Sequence, residues 1–339
     1  MRIVFRSGYE GVDKDEWEKF VLEHPDGNIF QTYRIITFYE QIPEYRPVIL
    51  FALHEDSILG VMAGVIINST NNLLRYFTSR CIVTGGPLSA GNNLLISEGL
   101  VKEFTKEVKN RTIYIQIRNL CNSSALKDIF RKNRYKFEEH LDIHINLTEP
   151  FELLLKKMHE SRRRNLSKAF KKGVKVRRVY SEKEIMDGFR LVAGTYKKVK
   201  LPSPPDGLFI ALARKLVRED SAICYGIFYD DKMIGFRTVL TWRKTIYDYY
   251  AGSLPGESNK YPNDVLIIEI LREGCENNFD LFIFGGAGKP DKKYGVRDHK
   301  LKFGGSVVNY GRYTRINNPA VYWPLALTFQ LFRHISRLL

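Results

Sequence analysis

The chain has 339 residues, 44% of them hydrophobic, and its 53 lysines and arginines exceed its 38 aspartates and glutamates to give a net charge of +15. This composition excludes a disordered or fibrous protein, and the length suits two domains or one large one. Four scattered cysteines form no CxxC pair, which argues against a structural zinc site and for a reducing compartment. No signal-like apolar segment follows Met1, and no apolar run reaches the roughly 20 residues of a membrane span. We therefore expect a cytoplasmic protein without a metal site.

The first half of the chain predicts a hairpin followed by alternating strands and helices. A polar helix around Trp17 comes first, and apolar strands at 48–53 and 58–67 then enclose a turn at 54–57. The following elements are a strand at 73–78, a Gly-Gly-Pro loop at 85–87, a helix at 92–109, a strand at 112–118, a helix at 123–132 and a strand at 140–147.

The second half repeats this order. Strands at 223–229 and 233–240 enclose a turn at 230–232, and Gly235 takes the place that Gly60 has in the first hairpin. A strand at 245–250, a helix at 263–277, a strand at 279–284 and a basic helical stretch at 296–302 follow. The repeated order indicates an internal duplication.

A hairpin followed by strand, helix, strand, helix and strand is the order of the GNAT acyltransferase fold, so the chain resembles a tandem pair of GNAT domains. We expect an α/β (α+β) protein in which both domains have a mixed sheet flanked by helices. The predicted boundaries are 1–149 for the first domain, 150–318 for a second domain with the substrate cleft, and 319–339 for an apolar C-terminal helix or tail.

Four segments carry a narrower resemblance. In chain order, residues 158–176, Tyr-Tyr-Ala-Gly-Ser at 249–253, Phe-Gly-Gly at 284–286 and His-Lys-Leu-Lys-Phe-Gly-Gly at 299–305 look like landmarks of the FemABX family. Members of that family are peptidyltransferases that add amino acids from aminoacyl-tRNA to cell-wall peptidoglycan precursors. The chain leaves no room for the coiled-coil arm of the larger members, so it is similar to the compact ones.

Residues 156–178 contain eleven lysines and arginines against Glu160 alone, a net charge of +10. Apolar residues at helical spacing place these cations on the other face of a helix, and Gly173 predicts its end. The pattern fits a solvated helix face, and it equally fits a surface for tRNA phosphates or a precursor diphosphate. The candidate phosphate-binding residues are Arg162, Arg163, Lys168, Lys171 and Lys172, and Arg164 is a candidate for substrate binding.

The resemblance also implies roles for single residues. It makes Lys300 the catalytic cation that stabilises negative charge on the ester carbonyl oxygen during aminolysis, and Lys302 is a second cation that could share this role. The substrate-binding candidates are Thr195 and Lys198 at a helix end, with Lys198 facing the diphosphate, and Tyr250 in a strand. Each of these has a plain structural alternative, which is a solvated lysine, a helix terminus or a packed tyrosine.

The acyl donor is predicted from a missing motif. An acetyl-CoA enzyme would show Gln or Arg, two residues, Gly, one residue and then Gly or Ala at a helix start, and neither half of the chain has it. We therefore expect aminoacyl-tRNA as donor substrate and no bound cofactor. Two alternatives stay open: an N-acyltransferase with another donor that acts on a surface polysaccharide or lipid precursor, and a non-catalytic tRNA- or membrane-binding module.

The C-terminal stretch at 320–339 is rich in leucine and aromatic residues but also contains Arg333 and Arg337. It is too short and too charged to span a membrane. Either it docks on the fold as a closing helix, or it lies in the interface at the inner face of the membrane beside a lipid-linked substrate. The expected partners are thus aminoacyl-tRNA, a diphosphate-bearing cell-wall precursor and, through this tail, a membrane surface.

Overall fold

The computed structural model describes residues 2–71 and 74–338, with side chains up to Thr328. It divides into two compact units. The first unit comprises Met1–Glu139 and Tyr310–Leu339, and the second unit comprises His140–Asn309. Each unit is built on one mixed sheet with helices packed against it, which is the predicted fold class.

The first unit contains one long sheet. Its strands are β1 (Val4–Ser7), β2 (Tyr45–His54), β3 (Ser57–Ile67), β4 (Arg80–Thr84), β5 (Leu88–Ser89), β6 (Tyr114–Arg118), β7 (Lys136–Glu138) and β15 (Arg312–Ile316). They lie in the order β1-β2-β3-β4-β6-β15-β7, and β5 pairs with β3. Strands β4 and β6 are parallel, whereas their neighbours pair antiparallel.

The helices of the first unit are α1 (Lys14–Glu23), α2 (Tyr33–Tyr39), α3 (Leu94–Val108), α4 (Lys127–Lys132) and α11 (Pro319–Leu338). Asp13 begins α1 by accepting hydrogen bonds from the N–H groups of Asp15 and Glu16. Leu100 and Phe104 of α3 are fully buried against the sheet. In the part of the chain that the structure describes, no helix is long and apolar enough to cross a membrane.

The second unit repeats this architecture. Its strands are β8 (Asp142–Asn146), β9 (Lys175–Arg178), β10 (Ala222–Tyr229), β11 (Lys232–Trp242), β12 (Thr245–Ser253), β13 (Leu281–Gly286) and β14 (Ser306–Val308). Its helices are α5 (Phe151–Lys157), α6 (Glu160–Lys171), α7 (Glu182–Lys198), α8 (Asp206–Ala211), α9 (Pro262–Glu276) and α10 (Gly295–Leu301). The strand order is β14-β8-β13-β12-β11-β10-β9, and β12 and β13 form the parallel pair.

The two sheets correspond strand by strand, and each contains one strand from beyond the predicted boundary. Strand β8, which the sequence places in a first domain of 1–149, pairs with β13 and β14 in the second sheet. Strand β15, which falls in the predicted second domain, pairs with β6 and β7 in the first sheet. The unit limits at 139/140 and 309/310 therefore differ from the predicted limits. Apolar alternation identifies a strand but not its pairing partner.

Two predicted elements differ from the structure. The strand expected at 73–78 is a turn over residues 74–78, closed by a hydrogen bond from the Thr78 N–H to the Leu74 carbonyl, and Leu73 lies outside the described residues. The strand of this region is β4, whose Cys81 and Val83 are fully buried. The single basic helix expected before Gly173 is two helices, because extended backbone at Met158 ends α5 and His159 begins α6. Gly173 does follow α6, with a φ of +84° that favours glycine.

Candidate active site

The parallel strand pair of the second unit separates part-way along its length. β12 and β13 pair only over Thr245–Tyr247 and Leu281–Ile283, although both strands continue further. A β-bulge in the pairing of β11 with β12 makes Tyr249 the extra residue, and such a bulge bends its strand. The sheet thus has an opening with residues 248–253 on one side and 284–286 on the other, which we call the sheet opening.

The first unit has no such opening in its described residues. There β4 and β6 stay paired from Arg80 with Tyr114 to Thr84 with Arg118. The fully buried amide of Gln31 donates to the carbonyl oxygens of Ala63 (3.1 Å) and Thr84 (2.8 Å) beside this pair. The predicted substrate site in the second domain stays a prediction, and the sheet opening of the second unit is the candidate for it.

Lys300, the predicted catalytic cation, lies at the sheet opening. Its Nζ donates hydrogen bonds to the carbonyl oxygens of Phe284 (2.9 Å), Gly285 (2.9 Å) and Gly286 (3.0 Å). Burial lowers the pKa of Lys300 and a nearby Arg237 lowers it further, whereas the charges of Asp248 and Asp142 oppose the shift. An ammonium group has three N–H donors, so all of them are used. Lys300 therefore fixes the end of β13 and brings positive charge to the opening.

A buried ion pair flanks Lys300 and was not predicted from the sequence. Arg237 of β11 binds Asp248 of β12 in a bidentate manner, with distances of 2.8 Å from Nε to Oδ1 and 2.9 Å from Nη2 to Oδ2. Arg237 is only 6% exposed. Its signal in the sequence was a single arginine inside the otherwise apolar and neutral strand 233–240. Removing one partner of such a pair leaves an uncompensated buried charge.

A second buried group lies at the N-terminus of α9. The carboxylate of Asp264, in the first turn, accepts hydrogen bonds from Arg162 Nη1 (2.5 Å) and Asn165 Nδ2 (2.7 Å). Arg162 also donates to His299 Nδ1 (3.3 Å). Burial lowers the pKa of His299, and the charges of Arg162, Arg237 and Lys302 lower it further, although Asp264 opposes them. Arg162 is thus held inside the fold, and His299 is favoured in its neutral form.

Thr195 joins the end of β12 to α7. Its hydroxyl accepts a hydrogen bond from the Ser253 N–H (3.2 Å) and donates to the Leu191 carbonyl (2.9 Å). The helix approaches so closely at Gly252 that a Cβ there would lie 2.3 Å from the backbone nitrogen of Val192. Thr195 therefore positions one side of the sheet opening.

Tyr250 lies on that same side of the opening and packs among aromatic rings. Its ring centroid is 5.5 Å from that of Phe209, 6.2 Å from that of Tyr196 and 4.6 Å from that of Tyr249. Burial and then the charge of Asp248 raise the pKa of Tyr196. The half-exposed Tyr250 is in place for the predicted substrate contact, which stays a prediction.

The predicted basic segment separates into two sets of side chains. Arg162 faces inward, and Arg163 donates to the carbonyl oxygens of Lys156 (2.7 Å) and Met158 (2.8 Å) at the end of α5. Acidic residues outside the segment pair with three others: Lys157 with Glu149, Arg177 with Glu184, and Arg178 with Glu273. The segment is therefore less positive than its sequence suggests.

The second set points to solvent. Arg164, Lys168 and Lys171 are exposed and lie at i, i+4 and i+7 of α6, so they share one face, which we call the outward face of α6. Lys172 lies beyond the helix and donates to the Asn259 carbonyl (3.1 Å). Lys198 and Lys302 are also exposed, in the last turn of α7 and just after α10. These cations are accessible to an anionic partner, and their predicted roles stay predictions.

Residues 156–294, most of the second unit, match the family described as acetyltransferase (GNAT) domain. Among solved structures, FemX is similar over 94% of this chain and 98% of its own, with a TM-score of 0.71 and 13% identity. L-PGS from Bacillus licheniformis is similar over 95% and 96%, with a TM-score of 0.56 and 15% identity. A tandem GNAT protein from the clavulanic acid biosynthesis pathway is similar over 94% and 99%, with a TM-score of 0.57 and 8% identity. No curated protein sequence matches the chain.

The two sheets and these comparisons show a tandem GNAT fold, with residues 156–294 matching the acetyltransferase (GNAT) domain. The resemblance to the FemABX family is confirmed at the level of the fold, which covers nearly the whole of both chains.

Proposed function

We propose that the protein is an aminoacyltransferase that moves an amino acid from aminoacyl-tRNA to an amine of a diphosphate-bearing cell-wall precursor. The N-terminus of α9 is the observation that carries this proposal. In an acetyl-CoA enzyme, backbone N–H groups at this helix start hold the pyrophosphate. Here Pro262 has no N–H to offer, and Asp264 places a buried carboxylate in the first turn. The carboxylate of Asp264 and the side chains of Arg162 and Asn165 that bind it occupy this helix start, so a coenzyme diphosphate would have to displace a buried ion pair, which supports a donor of another kind.

The proposed reaction is direct aminolysis. The acceptor amine attacks the ester carbonyl carbon, a C–N bond forms, the C–O bond to the tRNA ribose breaks, and the amine proton ends on the released hydroxyl group. Negative charge builds on the carbonyl oxygen in the transition state, so positive charge already in place lowers the barrier. Lys300 supplies that charge at the sheet opening, whereas the charge of the neighbouring Arg237 is compensated by Asp248. Because its N–H groups bind backbone carbonyls, Lys300 acts through its charge and by holding residues 284–286.

The cysteines of the second unit support direct transfer over a covalent acyl-enzyme. Burial raises the pKa of Cys224 to about 12 and also raises the pKa of Cys275. The thiolate is the nucleophilic form of cysteine, so neither group is activated for attack. An ester donor is already reactive toward an amine, and positioning of the two substrates supplies much of the remaining acceleration.

The proposal is tested with the full-length protein and two donors in parallel. The protein is incubated with charged tRNA or with acetyl-CoA, together with nucleotide-linked and lipid-linked muropeptide precursors, and the acceptor mass is measured. We expect an added aminoacyl mass with charged tRNA only. Acetylation without aminoacylation would instead support the alternative N-acyltransferase acting on a polysaccharide or lipid precursor.

A second acceptor class is included because of one structural neighbour. The C-terminal domain of a candidate lysylphosphatidylglycerol synthetase from Agrobacterium fabrum shares the fold, with a TM-score of 0.56 and 17% identity over 93% of each chain. Phosphatidylglycerol is therefore offered as an acceptor beside the precursors. If no donor gives product with any acceptor while tRNA still binds, the non-catalytic binding module becomes the better description.

A further inference from the structure

Two segments of the first unit come together at one end of its sheet and expose apolar side chains. The turn at 74–78 precedes β4, and α11 follows β15. Both connect to the start of β6, because the Ile113 N–H donates to Ser79 O (3.0 Å) and the Asn317 N–H donates to Ile113 O (2.8 Å). The Asn318 side chain donates to the Tyr76 hydroxyl (3.1 Å), which joins the turn directly to the start of α11.

The exposed side chains of this region are large and apolar. In the turn, Leu74 is 51% exposed and Phe77 is 50% exposed. In α11, Trp323 is 56% exposed and Leu327 is 59% exposed, and their i, i+4 spacing places them on one face. Of the described side chains of this helix, Tyr322 packs against Tyr114 with ring centroids 5.5 Å apart. We call Leu74, Tyr76, Phe77, Trp323 and Leu327 the aromatic surface.

The charges in these segments have one sign. Residues 57–97 and 310–339 contain no aspartate or glutamate, although acidic residues make up 38 of the 339 in the chain. The turn has the exposed Arg75 and is followed by Arg80, and the sequence beyond Thr328 adds Arg333 and Arg337. Burial raises the pKa of Tyr322, and the charges of Tyr114 and Glu138 raise it further, so one acidic residue from outside these segments acts on this region. Exposed aromatic and leucine side chains next to arginines match the interface of an anionic bilayer, where apolar groups enter the acyl boundary and cations meet lipid headgroups.

We propose that the aromatic surface docks the protein onto anionic phospholipid membranes, with the turn at 74–78 and α11 inserting together. The bilayer is favoured over a protein partner because the two segments that carry the apolar groups contain arginines and no aspartate or glutamate of their own. This surface belongs to the first unit and the sheet opening to the second, so the proposal does not depend on the identity of the acyl donor.

Tryptophan fluorescence gives a direct test with the unaltered chain. Of the three tryptophans, Trp17 and Trp242 are buried and Trp323 is exposed. We expect vesicles of equal parts phosphatidylglycerol and phosphatidylcholine to shift the emission to shorter wavelength, and pure phosphatidylcholine vesicles to do so far more weakly. An unchanged emission with the anionic vesicles overturns the proposal.

Variants identify the surface in a vesicle co-sedimentation assay. The pair Phe77→Ser and Trp323→Ser is expected to weaken binding to the anionic vesicles at least about tenfold, and Arg75→Glu with Arg80→Glu is expected to do the same. The matched control is Leu95→Ser in α3, because Leu95 is 77% exposed but lies outside the aromatic surface. Binding that both variant pairs leave unchanged contradicts the proposal. If Phe77→Ser with Trp323→Ser instead converts a dimer to a monomer without affecting vesicle binding, the surface is an interface between copies of the chain and the proposal fails.

Discussion

At the scale of single residues, Lys300 decides how the sheet opening is built. Sequence resemblance marks it as a cation near the reacting groups, and the structure adds that its three N–H groups are bound to consecutive carbonyl oxygens. A lysine bound to three carbonyl oxygens contributes positive charge and also holds the backbone conformation at the end of β13. Stability and activity should therefore change together when it is replaced.

We predict that Lys300→Met lowers the free energy of unfolding by about 2–3 kcal/mol, because the carbonyls of residues 284–286 lose their donor. Transfer activity should fall at least about 100-fold, since a preorganised charge at the transition state is removed. Urea denaturation and single-turnover assays measure the two effects. Lys293→Met, at an exposed lysine of the preceding loop, should leave both unchanged. An active and fully stable Lys300→Met protein would refute the role given to this lysine.

The buried pair of Arg237 and Asp248 gives the second residue-scale prediction. Arg237→Met should destabilise the protein by about 3–5 kcal/mol, because Asp248 is left charged and buried. Adding Asp248→Leu should recover much of this loss, since no buried charge then remains. Urea denaturation of the two single variants and the double variant measures the coupling. The exposed pair of Lys157 and Glu149 serves as control, with an expected coupling of about 0–1 kcal/mol. Equal coupling in both pairs would show that burial of Arg237 does not matter.

At the scale of elements, the contact of α7 with β12 holds one side of the opening. The helix backbone lies against Gly252, and Thr195 binds the next residue of the strand. We predict that Gly252→Ala costs about 1–3 kcal/mol, because the added methyl group overlaps the backbone of Leu191 and Val192. Gly256→Ala is the matched control, since nothing lies within 4 Å of a Cβ there. Thermal denaturation compares the stability of the two variants. An equal loss in both would mean that α7 moves away from the added methyl group at little cost.

The outward face of α6 gives the second prediction at this scale. Replacing Arg164, Lys168 and Lys171 together by glutamate should weaken tRNA binding and reduce the dependence of log Kd on log salt by about 2, because phosphate contacts are lost. The control replaces Lys127, Arg131 and Lys132, which are exposed on α4, by glutamate, because this gives the same change in net charge. Filter binding at several salt concentrations measures the tRNA affinity and its salt dependence for both variants. A similar loss in the two variants would point to net charge rather than to α6.

At the scale of the whole molecule, the first unit is completed by a segment from the end of the chain, because β15 follows the second unit in sequence. β15 lies between β6 and β7 and pairs with both. A chain that ends at Asn309 lacks β15, so β6 and β7 each lose a strand partner. We predict that this shortened chain loses the folded first unit, because unpaired strand edges and the contacts of the buried Tyr313 are exposed to water. A chain that ends at Thr328 keeps β15 and should stay folded. Circular dichroism and limited proteolysis distinguish the two, and equal protease resistance would contradict the prediction.

Much of the fold was predictable because its signals are local. The hairpins at 48–67 and 223–240 are confirmed as β2–β3 and β10–β11, and the helices at 92–109 and 263–277 as α3 and α9. Periodicity reports which way side chains face, and that is enough to distinguish strands from helices. The strand prediction was wrong at 74–78, because the apolar residues there are exposed in a turn, where alternation does not indicate a buried sheet face.

The candidate site was less predictable, because most of its contacts join residues that are distant in the sequence. Motif resemblance located Lys300, Thr195 and Tyr250, which the structure places around the sheet opening, but it could not reveal Arg237 with Asp248 or Asp264 with Arg162. These pairs join residues 11 and 102 positions apart, and only the folded chain brings them together.

The sequence by itself determined the duplicated order of strands and helices, the excess of positive charge before Gly173 and the absence of an acetyl-CoA motif. The tertiary structure decided which sheet receives β8 and β15, where the second sheet opens, and which cations of α5 and α6 remain accessible. The physical reason is the range of the interactions. Side-chain periodicity is set by neighbours along the chain, whereas strand pairing and the burial of charge depend on partners that are distant in sequence.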